Sequence, residues 1–319
     1  MNKILERIAE EDLITFSYEE SLKVDRLKLL QQYIEDKLKF LPNKDFIFAG
    51  GALSQIVSLG TLAEAADLDC FCIKPDDYSD LEIYDKFATK TTKEAIDLQE
   101  INKMTEKSDF WRVKVVSHKP TETDNSYNFF FKESYGDGNR QVSYIKPSLS
   151  LKKISSENSF KPTTVAHVLL GFDLINSMIA IDSNRNITCH KHLLSDEANR
   201  IKTSEYFIPL IQQILKNNKE FQQDCPYDLT VAKNLYRIDI IFRISKYIKK
   251  GFYLNFEDAL HLIGAEKEND IVYRIFIMSR DKWSEEQIDC YRNIYLQTYG
   301  KFPSLMADEY ISNKQITLK

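Results

Sequence analysis

The sequence predicts an α+β protein in which a mixed α/β front part is followed by an all-helical back part. Short apolar runs bounded by glycine and other turn residues recur up to Ile181, whereas helical periodicity dominates after Leu193. With 319 residues, of which 43% are hydrophobic and 12% aromatic, the chain is long enough for about two domains with buried cores. We therefore expect one domain at residues 1–195 and another at residues 196–319.

The first elements alternate between helix and strand. A charged, leucine-rich segment with helical spacing ends before Pro42, and the next apolar run ends on Gly50 and Gly51, as a buried strand meeting a tight turn does. A second helical segment and a second short apolar run follow. In chain order, the pattern predicts a helix over 18–41, a strand over 46–49, a helix over 52–62 and a strand over 68–73.

The middle of the chain is predicted to be mostly β. An acidic helical segment over 80–107 precedes several strand-like runs, and the residues from Gly136 to Asn139 form a hairpin signal between the last two of these runs. Strands are expected at 111–116, 127–132 and 141–145, and a further strand pair at 165–173 and 177–181. Helices are expected over 196–215, 231–250, 256–263, 270–279 and 284–299.

The composition excludes several classes of protein. Acidic residues number 48 and basic residues 43, so a surface that coats long nucleic acid is not expected. No run of about 18 apolar residues is present, and the charged N-terminal segment lacks the apolar centre of a signal peptide. Five scattered cysteines, an odd number, indicate reduced thiols rather than a disulfide framework, and we expect a cytoplasmic protein.

Asp67 and Asp69 are the residues that most clearly indicate chemistry. Side chains alternate along a strand, so we expect both carboxylates on one face, about 7 Å apart. Two like charges, on residues that are poor strand formers, destabilise a strand, and a divalent cation offsets that cost. Carboxylate oxygens suit Mg²⁺ or Mn²⁺, and such ions assist attack on phosphorus. The alternative is a solvated Asp-x-Asp at the end of a strand.

Gly50 and Gly51 supply a second signal, because fifteen residues separate them from Asp67. A Gly-Gly turn at the start of a helix allows a ligand to approach the backbone and directs helix N–H groups at phosphate. The Asp-x-Asp motif alone favours a solvated strand end, and the Gly-Gly motif alone favours an ordinary turn. The order strand, Gly-Gly, helix, strand and Asp-x-Asp favours a nucleotide site, in which Gly50, Gly51 and Ser54 hold the phosphates.

This order of motifs resembles the nucleotidyltransferase superfamily that includes DNA polymerase beta. The head of class II CCA-adding enzymes, of bacterial poly(A) polymerases and of their phage-encoded relatives is the most similar branch, because both Gly50-Gly51-Ala52 and Leu59-Gly60 match it. The resemblance implies a polymerase beta-like palm, a mixed-sheet head whose aspartates bind Mg²⁺ and which uses a nucleoside triphosphate. Where that head carries Arg-Asp after the glycines, this sequence has Ser54-Gln55.

A second block, from Phe172 to Asp182, is similar to another motif of the same head. Asp173, Ala180 and Asp182 fall in register with that motif, whereas its arginines are absent here. The resemblance implies that Asp173 is a third acidic group or a ribose-binding group. The alternative is a hydrogen-bonded residue at a strand end. The stretch from Leu193 to Ile201 is similar to the segment that closes the head.

The predicted helix over 231–250 is basic. Between Val231 and Tyr253 there are six basic residues and one acidic residue, Asp239. Three of the cations have a spacing that places them on one helix face: Arg243, Lys246 and Lys250. Tyr247 lies near that stripe, where its ring is suited to stacking on a base. The alternative is an ordinary solvated helix face.

The basic helix also resembles the Gly-Phe-terminated helix of the CCA-adding head. In that family an Asp/Arg pair selects the incoming base, and Asp239 with Arg243 would do so here, although they are four residues apart rather than three. The resemblance thus implies that the basic helix binds nucleotide.

The sequence as a whole favours a metal-dependent nucleotidyltransferase. In this interpretation Asp67 and Asp69 bind Mg²⁺ or Mn²⁺, a nucleoside triphosphate such as ATP is the donor, and an acceptor hydroxyl receives the nucleoside monophosphate. By resemblance, the acceptor is an RNA or tRNA 3′ end. Two alternatives stay open at this point: transfer to a protein or small molecule, and a degenerate head that binds nucleotide or RNA without turnover.

Overall fold

The chain divides into two compact units. The computed structural model describes residues 11–35, 37–61, 67–74, 82, 114–115, 121–122, 126–132, 139–145, 164–204, 206, 240–264 and 269–300. The first unit, the sheet unit, comprises residues 1–198 and 203–225; the second, the helical unit, comprises residues 199–202 and 226–319. Among the described residues, no helix combines the length and the apolar character that crossing a membrane requires.

The sheet unit contains a mixed sheet, to which the described residues contribute nine strands. The strands are β1 (Leu13–Phe16), β2 (Phe46–Ala49), β3 (Asp67–Cys72), β4 (Lys114–Val115), β5 (Thr121–Glu122), β6 (Ser126–Lys132), β7 (Asn139–Ile145), β8 (Ile179–Ile181) and β9 (Ile187–His190). Their order is β1-β9-β8-β2-β3-β7-β6-β4, and β5 pairs with β6. Of these described pairs, β3 and β7 run parallel and the others antiparallel.

The described helices of the sheet unit are α1 (Tyr18–Ser21), α2 (Asp25–Ile34), α3 (Gly51–Leu59) and α4 (Val165–Leu170). Two of them begin at side-chain caps. Ser17 and Glu20 form a capping box at α1, and Thr164 Oγ1 accepts the backbone N–H of His167 at 3.2 Å at α4. In contrast, α3 begins at Gly50 without a side-chain cap.

Buried apolar clusters lie on both faces of the sheet. On one face the strands pack against α2 and α3, through Phe46, Phe48, Leu68, Cys70, Val142 and Tyr144 from the strands and Leu27, Leu30, Leu53 and Ile56 from the helices. On the other face the cluster comprises Ile47, Ala49, Ala180, Val168, Leu169, Met178 and Tyr206. Removal of this apolar surface from water is the main favourable term in folding.

The described residues of the helical unit form four α-helices. They are α5 (residues 240–249), α6 (Phe256–Leu260), α7 (Asn269–Ser279) and α8 (Glu285–Tyr299). Aromatic side chains form much of its core: the Phe276 and Tyr291 rings stack at 4.8 Å, and Trp283 lies 5.7 Å from Phe276. The indole N–H of Trp283 donates to the Leu254 carbonyl at 3.1 Å, so this buried polar group is satisfied.

The fold class expected from the sequence, a mixed α+β part followed by a helical part, is confirmed. The strands predicted at 46–49 and 68–73 are β2 and β3, and the predicted hairpin is the antiparallel pair of β6 and β7. The last three predicted helices are α6, α7 and α8, with small differences at their ends. In each case a clear periodicity or a strong turn signal marked the element.

Some predicted elements are wrong. The single helix over 18–41 is interrupted between Ser21 and Asp25, and residues 38–40 form a 3₁₀ turn. Residues 165–170 form α4 rather than a strand, because Thr164 caps a helix at that point. Residues 196–204 are not helical, and Thr203 instead forms an antiparallel bridge with Leu174. Strands β1 and β9 were not expected.

Other predicted elements lie wholly or partly outside the described residues. These are the helix over 80–107, of which the structure describes Glu82, the turn at 136–138, and the segments 111–113, 207–215 and 231–239. Asp239, the expected partner of Arg243 in base selection, is among them. Its role therefore stays a prediction, as does the domain boundary at residue 195.

Candidate active site

Asp67 and Asp69 lie on one face of β3, as the strand periodicity predicted. Along the strand, Leu68, Cys70 and Cys72 are buried, whereas Asp67 is exposed and Asp69 is half-buried. Burial of Cys70, with smaller contributions from Cys72 and Asp69, raises the pKa of its thiol well above its ordinary value. The cysteines therefore belong to the core, and the two carboxylates form the polar face of the strand.

Gly50 lies beside the Asp69 carboxylate. Its φ of 100° and ψ of −153° fall in a region that essentially only glycine adopts. A Cβ atom at Gly50 would lie 3.6 Å from Asp69 Oδ2 and 3.8 Å from Cζ of Phe172. The sheet register explains this proximity, because Ala49, the last residue of β2, pairs with Asp69. The glycine turn and the aspartate strand thus meet at one place.

The turn leads directly into α3, whose first amide groups lack partners within the helix. The Gly50 N–H donates to the Ile179 carbonyl at 2.9 Å, which anchors the turn to β8, and the Ser54 N–H donates to the Gly50 carbonyl at 3.2 Å. Ser54 is fully buried, and its Oγ has no hydrogen-bond partner among the described residues. Its predicted contact with phosphate stays a prediction.

A row of neutral polar residues lies beside the two aspartates. In the parallel register of β3 and β7, Gln141 pairs with Asp67 and Ser143 pairs with Asp69, and on β6 Asn128 pairs with Ser143. Directly paired residues share a sheet face. The Gln141 side-chain amide donates to Ser143 Oγ at 2.5 Å and to Asn128 Oδ1 at 3.0 Å.

Sequence reasoning did not find this polar row. Gln141 and Ser143 alternate with the buried residues Val142 and Tyr144, and this alternation was the available signal. It became informative only once the pairing of β7 with β3 was known.

Asp173 lies one residue after Phe172, whose ring makes an edge-on contact with Phe71 at 5.5 Å. The main-chain carbonyl of Asp173 accepts the Ser204 N–H at 2.8 Å. Its backbone therefore ties the segment after α4 to the chain near residue 204. A role of its carboxylate as a third acidic group or as a ribose contact stays a prediction.

Asp182, another residue in register with the family block, holds a turn. Its Oδ1 accepts the backbone N–H groups of Asn184 and Asn186, both at 2.9 Å, and its Oδ2 accepts the Asn186 side-chain amide at 3.0 Å. These bonds close the loop between β8 and β9, in which Arg185 has a φ of 68°. This match to the family block is therefore explained by turn chemistry.

Of the predicted basic residues, Arg243 and Lys246 lie on α5 in the helical unit, and Lys250 directly follows that helix. Arg243 and Lys246 are exposed, and the Lys250 ammonium lies 5.4 Å from the centre of the Tyr247 ring. Tyr247 itself is buried, and its ring packs against Phe252 at 5.0 Å. The expectation that Tyr247 stacks on a base is therefore wrong, because its faces are used in the core.

The residues at the sheet site fit a hard divalent cation. Among the described residues, no group of three or more histidine, cysteine, aspartate or glutamate side chains forms a cluster able to hold a metal ion. Mg²⁺ in phosphoryl-transfer sites is commonly held by one or two carboxylates together with substrate phosphates and water. Asp67 and Asp69 lie on one strand face, with Asp69 next to the Gly50 turn, and their carboxylates match that donor set.

The sequence matches no protein-family model and no curated protein. Among solved structures, the chain is similar to a CCA-adding enzyme in its apo form I, with a TM-score of 0.40 and 12% sequence identity. The similarity covers 90% of this chain and 55% of that enzyme, so the chain spans about half the length of the enzyme.

Proposed function

We propose that the protein is a metal-dependent nucleotidyltransferase, which transfers a nucleoside monophosphate from a nucleoside triphosphate to an acceptor hydroxyl. One observation carries the proposal: the position of a Cβ on Gly50, at the start of α3, is 3.6 Å from Asp69 Oδ2. A glycine turn of the kind that binds phosphate and a carboxylate of the kind that binds a metal ion therefore lie next to each other. Neither feature alone distinguishes a site from an ordinary turn.

Different residues of the chain bind the metal ion, the phosphates and the ribose. Asp67 and Asp69 hold Mg²⁺ or Mn²⁺, and the first amide groups of α3 with Gly50 and Gly51 receive the β- and γ-phosphates. Ser54 is assigned to the same phosphates and Asp173 to the ribose or to the third acidic position. When bound, the metal ion supplies Lewis-acid stabilisation of charge on the phosphates.

The reaction is an in-line displacement at the α-phosphorus. The acceptor hydroxyl oxygen forms a bond to this phosphorus, the bond to the oxygen that bridges to the β-phosphorus breaks, and pyrophosphate leaves with that electron pair. The hydroxyl proton passes to water. Positioning of the two oxygens in line and stabilisation of the developing charge supply most of the acceleration in such reactions.

The acceptor that we favour is an RNA or tRNA 3′ end. The support is the basic composition of α5 and the motif resemblance, both of which point to a nucleic-acid partner. Arg243, Lys246 and Lys250 are assigned to charge neutralisation on the triphosphate or the RNA end, and Asp239 with Arg243 to base selection. The cytoplasmic location expected from the cysteines is part of the same proposal.

Incubation of the protein with Mg²⁺, each labelled nucleoside triphosphate and total RNA tests the proposal. We expect label in RNA, and we expect Asp67→Asn and Asp69→Asn to reduce transfer by at least about a hundredfold, because each removes a charged ligand of the cation. The matched control is Asp196→Asn, which changes an exposed aspartate of the sheet unit and should transfer like the wild type.

The outcomes separate the candidate functions. Label in protein or in a small molecule keeps the chemistry but replaces the acceptor. Saturable nucleotide binding without transfer indicates a degenerate head. Full activity of folded Asp67→Asn and Asp69→Asn proteins contradicts the mechanism, and a thermal unfolding scan of each variant establishes that it is folded.

A further inference from the structure

Helix α5 exposes an aromatic side chain among cations. Phe242 is 48% exposed, which makes it the most exposed large apolar side chain among the described residues. The neighbouring exposed residues are all cations, and with Phe242 they form what we call the α5 outer face: Phe242, Arg243, Lys246 and Lys249. The opposite side of α5 is buried through Ile240, Ile241, Ile244, Tyr247 and Ile248.

Packing of the helical unit does not account for Phe242. Other rings of this unit are used in its core, as in the pairs of Tyr247 with Phe252 and of Phe276 with Tyr291. A phenylalanine on the outward side of an amphipathic helix gains less from folding than a buried one, because about half of the Phe242 surface stays in water. An aromatic ring in such a position is typical of a binding surface.

The charge around Phe242 specifies the sign of the partner. Between residues 239 and 256 the sequence has four cations and one acidic residue, Asp239. Lys246 and Lys249 form no ion pair with any of the described residues. Both lysines lie within the last four residues of α5, where the helix dipole also favours a cation. The outer face therefore favours an anionic ligand.

We infer that the α5 outer face binds a single-stranded end of nucleic acid, with one base stacked on Phe242 and the following phosphates over Lys246 and Lys249. The inference deepens the proposed function, on which it rests, by naming where the acceptor strand binds. An unpaired base presents a flat face to an aromatic ring, whereas a duplex keeps its bases stacked inside. An acidic peptide presents such a face only where it carries an aromatic residue, and a membrane requires a wider apolar area.

The spacing of the residues suits an extended strand. Phe242, Lys246 and Lys249 follow the i, i+4, i+7 pattern and lie in one stripe, which extends about 10 Å along the helix axis at 1.5 Å per residue. A strand aligned with this stripe places its phosphates near both ammonium groups while one base contacts the phenyl ring.

The inference is tested by binding a short, labelled single-stranded RNA to the protein. Fluorescence anisotropy measures this binding at several salt concentrations. We expect Phe242→Ala to weaken binding about tenfold, since stacking of one base is worth roughly 1.4 kcal/mol or more, and to leave the salt dependence unchanged. Phe242→Tyr keeps a ring and should bind like the wild type. Lys246→Gln and Lys249→Gln should each reduce the slope of log affinity against log salt by about 0.7.

Met278→Ala is the matched control, because Met278 is an exposed apolar residue of the same unit at 39% exposure. It should bind RNA like the wild type, and all variants should unfold at the wild-type temperature. Equal binding by Phe242→Ala and the wild type overturns the inference. An equal Phe242 dependence for duplex RNA, for anionic lipid vesicles or for an acidic peptide also overturns it.

The result is separable from the test of catalysis. Phe242-dependent binding in a protein that transfers no nucleotide supports the surface and contradicts the proposed activity. Nucleotide transfer without any effect of Phe242→Ala on RNA binding contradicts the surface and leaves the proposed activity standing.

Discussion

Gly50 shows how a single backbone conformation positions the candidate site. Its φ of 100° directs the chain from β2 into α3 while its N–H stays bonded to Ile179. The absence of a side chain leaves open the space next to Asp69 Oδ2 and the Phe172 ring. The conformation requires glycine at this position, whereas a Cβ would make only ordinary van der Waals contacts with these two groups.

Gly50→Ala is therefore expected to reduce stability and activity together. The strained backbone should lower the free energy of unfolding by about 1–3 kcal/mol, as measured by urea denaturation. Nucleotide transfer should fall as well, because relief of the strain moves the turn away from Asp69. The control is Gly60→Ala: Gly60 has a φ of 67°, and open space surrounds the new Cβ. This variant should lose about 1–2 kcal/mol and keep its activity. Equal losses of activity in Gly50→Ala and Gly60→Ala would contradict the placement of Gly50 in the candidate site.

The residue scale also shows what periodicity could predict. The alternation of polar and apolar residues was enough to place Asp67 and Asp69 on one face. It was not enough to place Ser143 and Gln141 beside them, because that depends on which strand pairs with β3. A residue's face follows from its own strand, whereas its neighbours follow from strand order.

At the scale of elements, β1 joins the sheet through a cluster of charged and polar groups. Asp12, just before β1, forms an ion pair with Lys191 and accepts a hydrogen bond from the Tyr206 hydroxyl. Burial opposes ionisation of Asp12, but the bonds from Lys191 and Tyr206 outweigh it and hold the pKa of Asp12 below its ordinary value of 3.8. β1 itself pairs only with β9 among the described strands, from Leu13 to Phe16.

Asp12→Asn should therefore destabilise the protein in a pH-dependent manner. Because the pKa of Asp12 is lowered in the folded state, its contribution is fully present above about pH 4 to 5 and is lost as the pH falls through the folded-state pKa. We expect the variant to be less stable by about 1–2 kcal/mol at pH 7. The difference should shrink towards pH 3 in urea denaturation. A pH-independent difference, or an equal effect of the exposed Asp196→Asn, would contradict this account.

Short elements were the least predictable ones. β1 has four residues and pairs with residues 187–190, far away in the chain, so local pattern alone could not reveal it. Residues 165–170 are apolar enough for a buried strand, but they form a helix because the Thr164 side chain caps its first turn. In contrast, α8 has fifteen residues, so its periodicity predicted it correctly, and in the structure it begins at a Ser284 capping box.

At the scale of the whole molecule, the formal net charge of −5 is an average over very different regions. The outer face of α5 carries three cations, whereas the candidate site in the sheet unit carries two carboxylates. Such a distribution suits a small anionic donor and one acceptor end rather than a long polymer along the whole surface.

Cysteine labelling should report on the integrity of both units. Cys70, Cys72 and Cys189 are buried in the sheet unit, and burial raises the pKa of Cys189 to about 12, whereas Cys290 in the helical unit is exposed. We expect iodoacetamide at pH 8 to label Cys290 in the folded protein and the three buried thiols only after unfolding. Peptide mapping by mass spectrometry measures this order. Rapid labelling of Cys70 in the native protein would contradict the described core, and Cys290→Ser is the control.

The sequence by itself determined the alternation of Asp67 and Asp69, the buried strand before Gly50 and the helical character of the back part, because periodicity and turn chemistry are local properties. The tertiary structure decided that Gly50 approaches Asp69, that Ser143 and Gln141 lie beside the aspartates, and that Phe242 is exposed while Tyr247 is buried. These facts depend on strand register and on which side of a helix meets the core. Contacts between residues far apart in the chain determine both, and no local pattern records them.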